Sequence, residues 1–70
     1  MMKRNAVIGK LKAEAKRQGV AFDVNELTRH TGITVGGVAS TLKRHSEIDD
    51  VTAHKFFDQF ADVLGKGWWR

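Results

Sequence analysis

The hydrophobic pattern near the start of the chain predicts an amphipathic helix over residues 6–18. Its apolar residues recur at helical spacing and share one face: Val7, Ile8, Leu11 and Ala15. Lysines and arginines fill much of the remaining surface. Asn5 can cap the first turn, and Gly19 suits the left-handed conformation that ends many helices. The segment therefore has a predicted start, a buried face and an end.

A second helical pattern follows Asp49 and Asp50 and continues to Gly65. Its apolar positions form a broad stripe: Ala53, Phe56, Phe57, Phe60, Val63 and Leu64. The two carboxylates can accept hydrogen bonds from the free N–H groups of the first turn and favour the positive end of the helix dipole. Because aromatic residues at helical spacing usually pack, we expect the three phenylalanines in the core.

The middle of the chain, residues 20–47, has two interpretations. In the first, apolar residues alternate from Val20 through Phe22 to Val24, which is the period of a strand, and two further strands flank a Gly36-Gly37 hairpin turn. A two-residue turn fixes the register of those strands. The predicted pairs are Val35 with Val38, Ile33 with Ser40 and Thr31 with Leu42 on one face, and His30 with Lys43 on the other. The fold is then α+β in the order α-β-β-β-α, a three-stranded antiparallel sheet with two helices on one face.

The second interpretation is a DNA-binding helix-turn-helix over residues 23–44. Gly32 would form the turn, and residues 34–44 would be the recognition helix. Gly36 and Gly37 argue against it, because each costs about 1 kcal/mol relative to alanine within a helix and offers no side chain to read a base. The residues alone leave both interpretations open.

Length and composition narrow the function classes. The chain has 70 residues, no cysteine and a formal charge of +4, which predicts one domain, residues 1–70, with a shallow site at most. Disulfides, thiolate chemistry and Cys-ligated zinc are excluded, and the three histidines lack a zinc-binding spacing, so we expect no metal and no cofactor. Apolar runs are too short to span a membrane, and no signal peptide is evident. We therefore expect a soluble, cytoplasmic protein.

The charge is unevenly distributed. Residues 1–17 carry six basic and one acidic side chain, whereas residues 47–62 carry one basic and five acidic side chains. A basic pole of this kind attracts the phosphates of a nucleic acid, and it can equally dock an acidic protein. Charge alone does not choose between these partners.

Three segments in the second half of the chain carry a family resemblance: Arg44-His45-Ser46-Glu47-Ile48-Asp49, Thr52-Ala53 and Leu64-Gly65-Lys66-Gly67-Trp68-Trp69-Arg70. They resemble the HicA family of small bacterial mRNA-interferase toxins, in particular its actinobacterial-type members. The similarity spans nearly the whole chain. It implies the first interpretation, with a fold like that of double-stranded-RNA-binding domains.

The resemblance also implies a set of site residues. The family's Gly-Ser-x-His motif falls on Leu27, Thr28, Arg29 and His30, so the histidine is kept, threonine replaces serine and leucine replaces glycine. The implied catalytic residue is His30, since histidine serves as acid or base near neutral pH. The implied RNA-binding residues are Thr28, Arg29, Lys43, Arg44 and His45. Lys43 stands where the family has a proline.

The function implied by the resemblance is that of a toxin in a type II toxin–antitoxin system. Such a protein is an endoribonuclease that cleaves mRNA and blocks translation, and it needs no metal because the RNA 2′-OH is the nucleophile. Its partners would be a HicB-like antitoxin and mRNA or other single-stranded RNA, with DNA bound only through the antitoxin complex. The alternatives are a helix-turn-helix regulator and, because Leu27 departs from the motif, a catalytically weakened RNA-binding protein.

Two further expectations concern the aromatic and histidine side chains near the C-terminus. We expect Trp68 and Trp69 to pack over the edge of the small core, although tryptophan can also stack on bases. We expect His54 to be exposed to solvent.

Overall fold

The computed structural model describes all 70 residues and has an α+β architecture. The elements in chain order are β1 (Met2–Lys3), α1 (Arg4–Gln18), β2 (Phe22–Glu26), β3 (His30–Val35), β4 (Val38–Lys43), β5 (Glu47–Ile48), α2 (Asp50–Asp58) and α3 (Ala61–Leu64). Strands β2, β3 and β4 form an antiparallel sheet in that order, and β1 pairs with β5 in a separate two-stranded ribbon. The predicted α-β-β-β-α arrangement is confirmed, with short strands added before α1 and before α2.

The register of the β3–β4 hairpin follows from its glycine turn. Gly36 and Gly37 have φ values of 55° and 90°, the positive angles that a two-residue hairpin turn of this kind requires at both central positions. Every predicted pair is observed: Val35 with Val38, Ile33 with Ser40, Thr31 with Leu42, and His30 with Lys43. Thr31, Ile33 and Val35 are buried, so the apolar face of the hairpin is turned toward the helices.

The helix-turn-helix interpretation is wrong. Residues 30–43, which include most of the expected recognition helix, form the hairpin. Gly32 lies in the middle of β3, where it pairs with Asn25 on one side and Thr41 on the other. The Gly-Gly turn and the β-branched residues that flank it favour strands over helix in this segment.

Helix α1 starts earlier than predicted. It begins at Arg4, and Lys3, paired with Glu47 in the β1–β5 ribbon, occupies the N-cap position, so Asn5 is not the cap. Gly19 does end the helix, in the left-handed conformation (φ 71°). With 15 residues α1 is the longest helix, and none of the helices combines the length and apolar character needed to cross a bilayer.

The second predicted helix is divided in two. Asp49 caps α2 as expected and accepts hydrogen bonds from the backbone N–H (3.0 Å) and the hydroxyl (2.7 Å) of Thr52. The helix ends at Asp58, because the next two N–H groups bond to carbonyls three residues back and Phe60 leaves the helical conformation. This turn keeps both Phe60 and Leu64 buried in the core.

The core lies between the helices and one face of the sheet. It contains twelve buried apolar side chains, including all three phenylalanines of the second helical pattern. Trp68 and Trp69 pack against it as predicted, and the Trp68 indole N–H donates to the Phe57 carbonyl at 2.9 Å. His54 is not fully exposed, because its ring stacks on Trp69 with the centroids 4.2 Å apart.

Candidate functional site

The main surface feature is an open groove of about 420 Å³ between the sheet and α2. Three of the predicted site residues line its sheet wall: His30, Lys43 and His45. His30 is the first residue of β3 and pairs with Lys43, the last residue of β4, so the hairpin register sets these two side by side. His45 follows in the segment that leads to β5. Two imidazoles and a lysine therefore share one cavity.

The opposite wall belongs to helix α2. Thr52, Lys55 and Phe56 line the groove together with Gln59 at the C-cap, and their spacing of three and four residues places them on one helical face. Phe56 also forms part of the floor with Leu42 and Ile48. These three floor residues are almost entirely buried, so the groove ends at the packed core and exposes little of their apolar surface.

Lys55 is a groove residue that the sequence pattern did not single out. In the sequence it is the one basic side chain of an acidic segment. It directly precedes Phe56 in the sequence, but no local signal indicates that this side of α2 faces the end of the hairpin. The position of α2 depends on tertiary packing, and so does the site role of Lys55.

The acidic side chains of the groove have bonding partners within the protein, whereas its lysines do not form ion pairs. Its two carboxylates have partners: Glu47 lies 3.4 Å from the Lys3 ammonium, and Asp49 caps α2. Hydrogen bonds from the Thr52 side chain and backbone lower the pKa of Asp49 below its ordinary value. By contrast, Lys43 and Lys55 form no ion pair with a protein carboxylate. The positive charge of Lys55 also contributes to the lowered pKa of Asp49, but neither ammonium group is held in an ion pair within 4.0 Å.

Arg44 lies outside the groove in an ion-pair network. Its guanidinium is 2.8 Å from Glu26 Oε2 and also donates to the Leu27 carbonyl. The other carboxylate oxygen of Glu26 accepts a hydrogen bond from Thr31 at 3.1 Å and lies 3.5 Å from Arg4. One carboxylate thus holds two arginines, and Arg44 is less available to a phosphate than Lys43.

Thr28 and Arg29 lie in the bend between β2 and β3, and both are exposed. Neither lines the groove. Leu27, at the motif glycine position, is about half exposed (48%) and lies over Gly32, where an added Cβ would be 3.5 Å from Leu27 Cδ1. Its side chain therefore covers part of the outer sheet surface close to the start of β3.

The structure contains no group of three or more His, Asp or Glu side chains placed to hold a metal ion. Comparisons of the chain with family models, curated proteins and solved structures give no significant match. The resemblance to the HicA family therefore rests on the sequence alone, in segments 27–30, 44–49, 52–53 and 64–70.

Proposed function

We propose that this protein is a HicA-type endoribonuclease, the toxin of a pair with a HicB-like antitoxin, which cleaves mRNA and blocks translation. One observation carries the proposal: His30 lies opposite Lys43 at the end of the hairpin, and both line an open groove. An acid–base group next to an unengaged cation is what phosphodiester cleavage in RNA requires. The α-β-β-β-α order supports the proposal, because the resemblance implies the same order.

The proposed reaction uses the RNA's own nucleophile. The 2′ oxygen attacks the adjacent phosphorus and the bond from phosphorus to the 5′ oxygen breaks, which leaves a 2′,3′-cyclic phosphate and a 5′-hydroxyl. One proton leaves the 2′-OH and one is gained by the departing 5′ oxygen. His30 performs one of these transfers, and Lys43 stabilises the charge that develops on the phosphate oxygens. A shallow groove suffices because the substrate supplies the nucleophile.

The remaining implied residues contact RNA around this centre. His45 shares the groove with His30, whereas Thr28 and Arg29 are exposed just before β3 and can meet the strand as it leaves the groove. Arg44 would bind phosphate only by giving up part of its contact with Glu26. The HicB-like antitoxin would inhibit by covering His30 and the groove, and the site of action would be the cytoplasm, where mRNA is translated.

The test is RNA cleavage in the presence of EDTA by the wild-type protein and by His30→Ala. We expect the wild type to cleave and the variant to lose at least about 100-fold in rate, the usual contribution of one acid–base group. His54→Gln is the matched control, because His54 stacks on Trp69 and does not line the groove. An unchanged rate in a folded His30→Ala protein would overturn the proposed mechanism.

A catalytically weakened RNA-binding protein is the second candidate. The observation that favours it is Leu27, which occupies the motif glycine position and covers Gly32, two residues after His30 in β3. This candidate predicts that the wild type binds single-stranded RNA in a salt-dependent manner but leaves it intact in EDTA. The same assay therefore distinguishes the two functions.

A further inference from the structure

The outer edge of strand β2 has the features of a pairing surface for a second copy of this chain. We propose that two molecules associate through their β2 strands, which pair antiparallel about a two-fold axis at Val24. The two sheets then join into one sheet of six strands, and the interface is the same surface on both copies. The inference rests on the fold and does not depend on the proposed ribonuclease function.

The backbone of β2 has unused hydrogen-bonding groups along one side. The strand lies at the outside of the sheet, with β3 as its only neighbour. The Leu27 N–H donates to the His30 carbonyl, and the Gly36 N–H donates to the Ala21 carbonyl. Because hydrogen-bonded pairs alternate along an antiparallel ladder, the odd-numbered residues of β2 bond to β3. The even-numbered residues therefore direct their N–H and C=O groups away from the sheet: Phe22, Val24 and Glu26.

These outward groups lie on an open edge. Four of the five residues of β2 are exposed, and no other backbone or side-chain group bonds to the outward N–H and C=O groups. The strand pairs with β3 one to one, without a bulge, and it contains no proline or lysine, so it lacks common barriers to edge pairing. The other outer strand, β4, ends in Lys43 and borders the groove along α2.

The side chains of β2 are complementary to their own two-fold copies. Pairing about Val24 brings the two Val24 residues directly opposite each other, with Cα atoms about 5.5 Å apart. Val24 is 39% exposed and is one of four large apolar side chains on the surface, so the contact buries apolar area. In the same register Asp23 lies opposite the partner's Asn25, whose NH₂ group can donate to the carboxylate. The two-fold axis forms this polar pair twice.

The acidic side chains of β2 do not oppose the pairing. Asp23 faces an amide and not a second carboxylate. Glu26 lies opposite the partner's Phe22, and its carboxylate is already engaged by Arg4 at 3.5 Å and Arg44 at 2.8 Å. Like charges directly opposite each other destabilise a strand pair, and this register contains none.

The first test is a dilution series from millimolar to micromolar protein, followed by sedimentation equilibrium and by backbone amide NMR. One pair of five-residue strands is a small interface, so we expect a weak dimer that dissociates on dilution. The amide signals of the even-numbered β2 residues should shift with concentration, because their N–H groups gain a partner in the dimer. The amide signals of β4 should not shift.

The second test uses variants that alter the polar pair. Asn25→Asp sets two carboxylates opposite each other at two symmetry-related places, so the dissociation constant of the dimer should rise about tenfold. Asn5→Asp is the matched control, because it makes the same charge change at an exposed residue of α1. Combining Asp23→Asn with Asn25→Asp restores the pairing of amide with carboxylate and the wild-type charge, and it should restore wild-type association.

The outcomes separate the claims. A wild-type protein that stays monomeric at millimolar concentration would overturn the dimer, and so would equal association of the two single aspartate variants when circular dichroism shows both folded. Concentration-dependent shifts in β4 and not in β2 would show that the wrong edge has been assigned. Failure of the double variant to restore association would overturn the register. RNA cleavage is assayed separately, so the dimer and the ribonuclease proposal can each fail without the other.

Discussion

Glu26 fixes the positions of two arginines near β3, Arg4 and Arg44. Its carboxylate contacts Arg4, Arg44 and the buried hydroxyl of Thr31. The Arg4 side chain is only 21% exposed, and its buried Nε has no hydrogen-bond partner. A partly buried cation is stabilised by a compensating charge, so Glu26 stabilises the fold, and it also engages Arg44 outside the groove.

Replacing Glu26 should therefore have opposite effects on stability and on RNA binding. We expect Glu26→Gln to lower the free energy of unfolding by about 1 kcal/mol, measured by urea denaturation. Arg44 would be released, so RNA affinity should rise and depend more steeply on salt. Asp62→Asn changes the net charge equally but removes an exposed carboxylate without a partner. Equal RNA affinity in the two variants would contradict a restraining role for Glu26.

At the residue scale the sequence predicts some of the site. The His30–Lys43 pair follows from local information, because a two-residue glycine turn fixes every pair of the hairpin. Lys55 and the restraint on Arg44 by Glu26 do not, since both depend on how elements distant in sequence pack. The His30–Lys43 pair can be found by counting residues along two strands, whereas the positions of Lys55 and of the Glu26–Arg44 pair require the tertiary structure.

The hairpin turn is the element that sets the geometry of the sheet wall. Gly36 has a positive φ, and a Cβ added there would collide with Val63 Cγ1 and come within 2.8 Å of Val20 Cγ1. Gly37 also has a positive φ, yet a Cβ there would meet nothing within 4 Å. At Gly37 only the backbone conformation favours glycine, whereas at Gly36 the packing against Val20 and Val63 also excludes a side chain.

Alanine substitutions at the two turn positions should differ in cost. Gly37→Ala should lose about 1–2 kcal/mol, the penalty for a left-handed alanine. Gly36→Ala should lose a further 1–3 kcal/mol or so, because Val20 and Val63 must move. Thermal or urea unfolding followed by circular dichroism measures both. Equal losses would show that the turn does not pack against Val63 as described.

At the element scale, sequence predictions succeed where signals are local and fail where they are not. The Gly19 and Asp49 caps were predictable from residue type. The start of α1 was not predictable from residue type, because it is fixed by the pairing of Lys3 in β1 with β5, more than 40 residues away in the sequence. The interruption between α2 and α3 at Gln59 and Phe60 contains no glycine or proline from which it could be predicted. It allows Phe60 and Leu64 to be buried in the same core.

The whole molecule combines a basic N-terminal segment with an acidic α2 region, and the β1–β5 ribbon joins them. Lys3 faces Glu47 across this ribbon, and the amino group of Met1 lies 2.9 Å from Asp50. Part of the opposite charge is thus neutralised internally. In the groove, the Lys3–Glu47 pair likewise engages one of the two carboxylates, whereas Lys43 and Lys55 form no ion pair.

Several carboxylates should make the whole fold acid-sensitive. Hydrogen bonds from Arg17 and Gln18 lower the pKa of Glu14 from 4.5 to about 2, and Thr52 lowers that of Asp49. A depressed pKa in the folded state means that the stabilisation is complete above the ordinary pKa and is lost as pH falls through the folded one. Urea unfolding should therefore show stability declining as pH falls from about 4.5 toward 2.

Variants identify the groups responsible for that decline. Glu14→Gln should be less stable than the wild type near neutral pH. Its free energy of unfolding should also fall less steeply as pH drops from about 4.5 toward 2, because a titrating group has been removed. Asp62→Asn is again the charge-matched control, because its exposed carboxylate forms no ion pair or side-chain hydrogen bond. A wild-type protein with constant stability down to pH 2 would contradict the role given to these carboxylates.

The identity of the cleavage products tests the central claim most directly. A single-stranded RNA and a DNA of the same sequence are incubated with the wild-type protein in EDTA, and the fragment ends are determined by mass spectrometry. A reaction that uses the 2′-OH, with His30 as acid or base, predicts RNA fragments ending in 2′,3′-cyclic phosphate and 5′-hydroxyl, and intact DNA. Cleavage of the DNA, RNA fragments with 3′-hydroxyl and 5′-phosphate ends, or RNA left intact would contradict it.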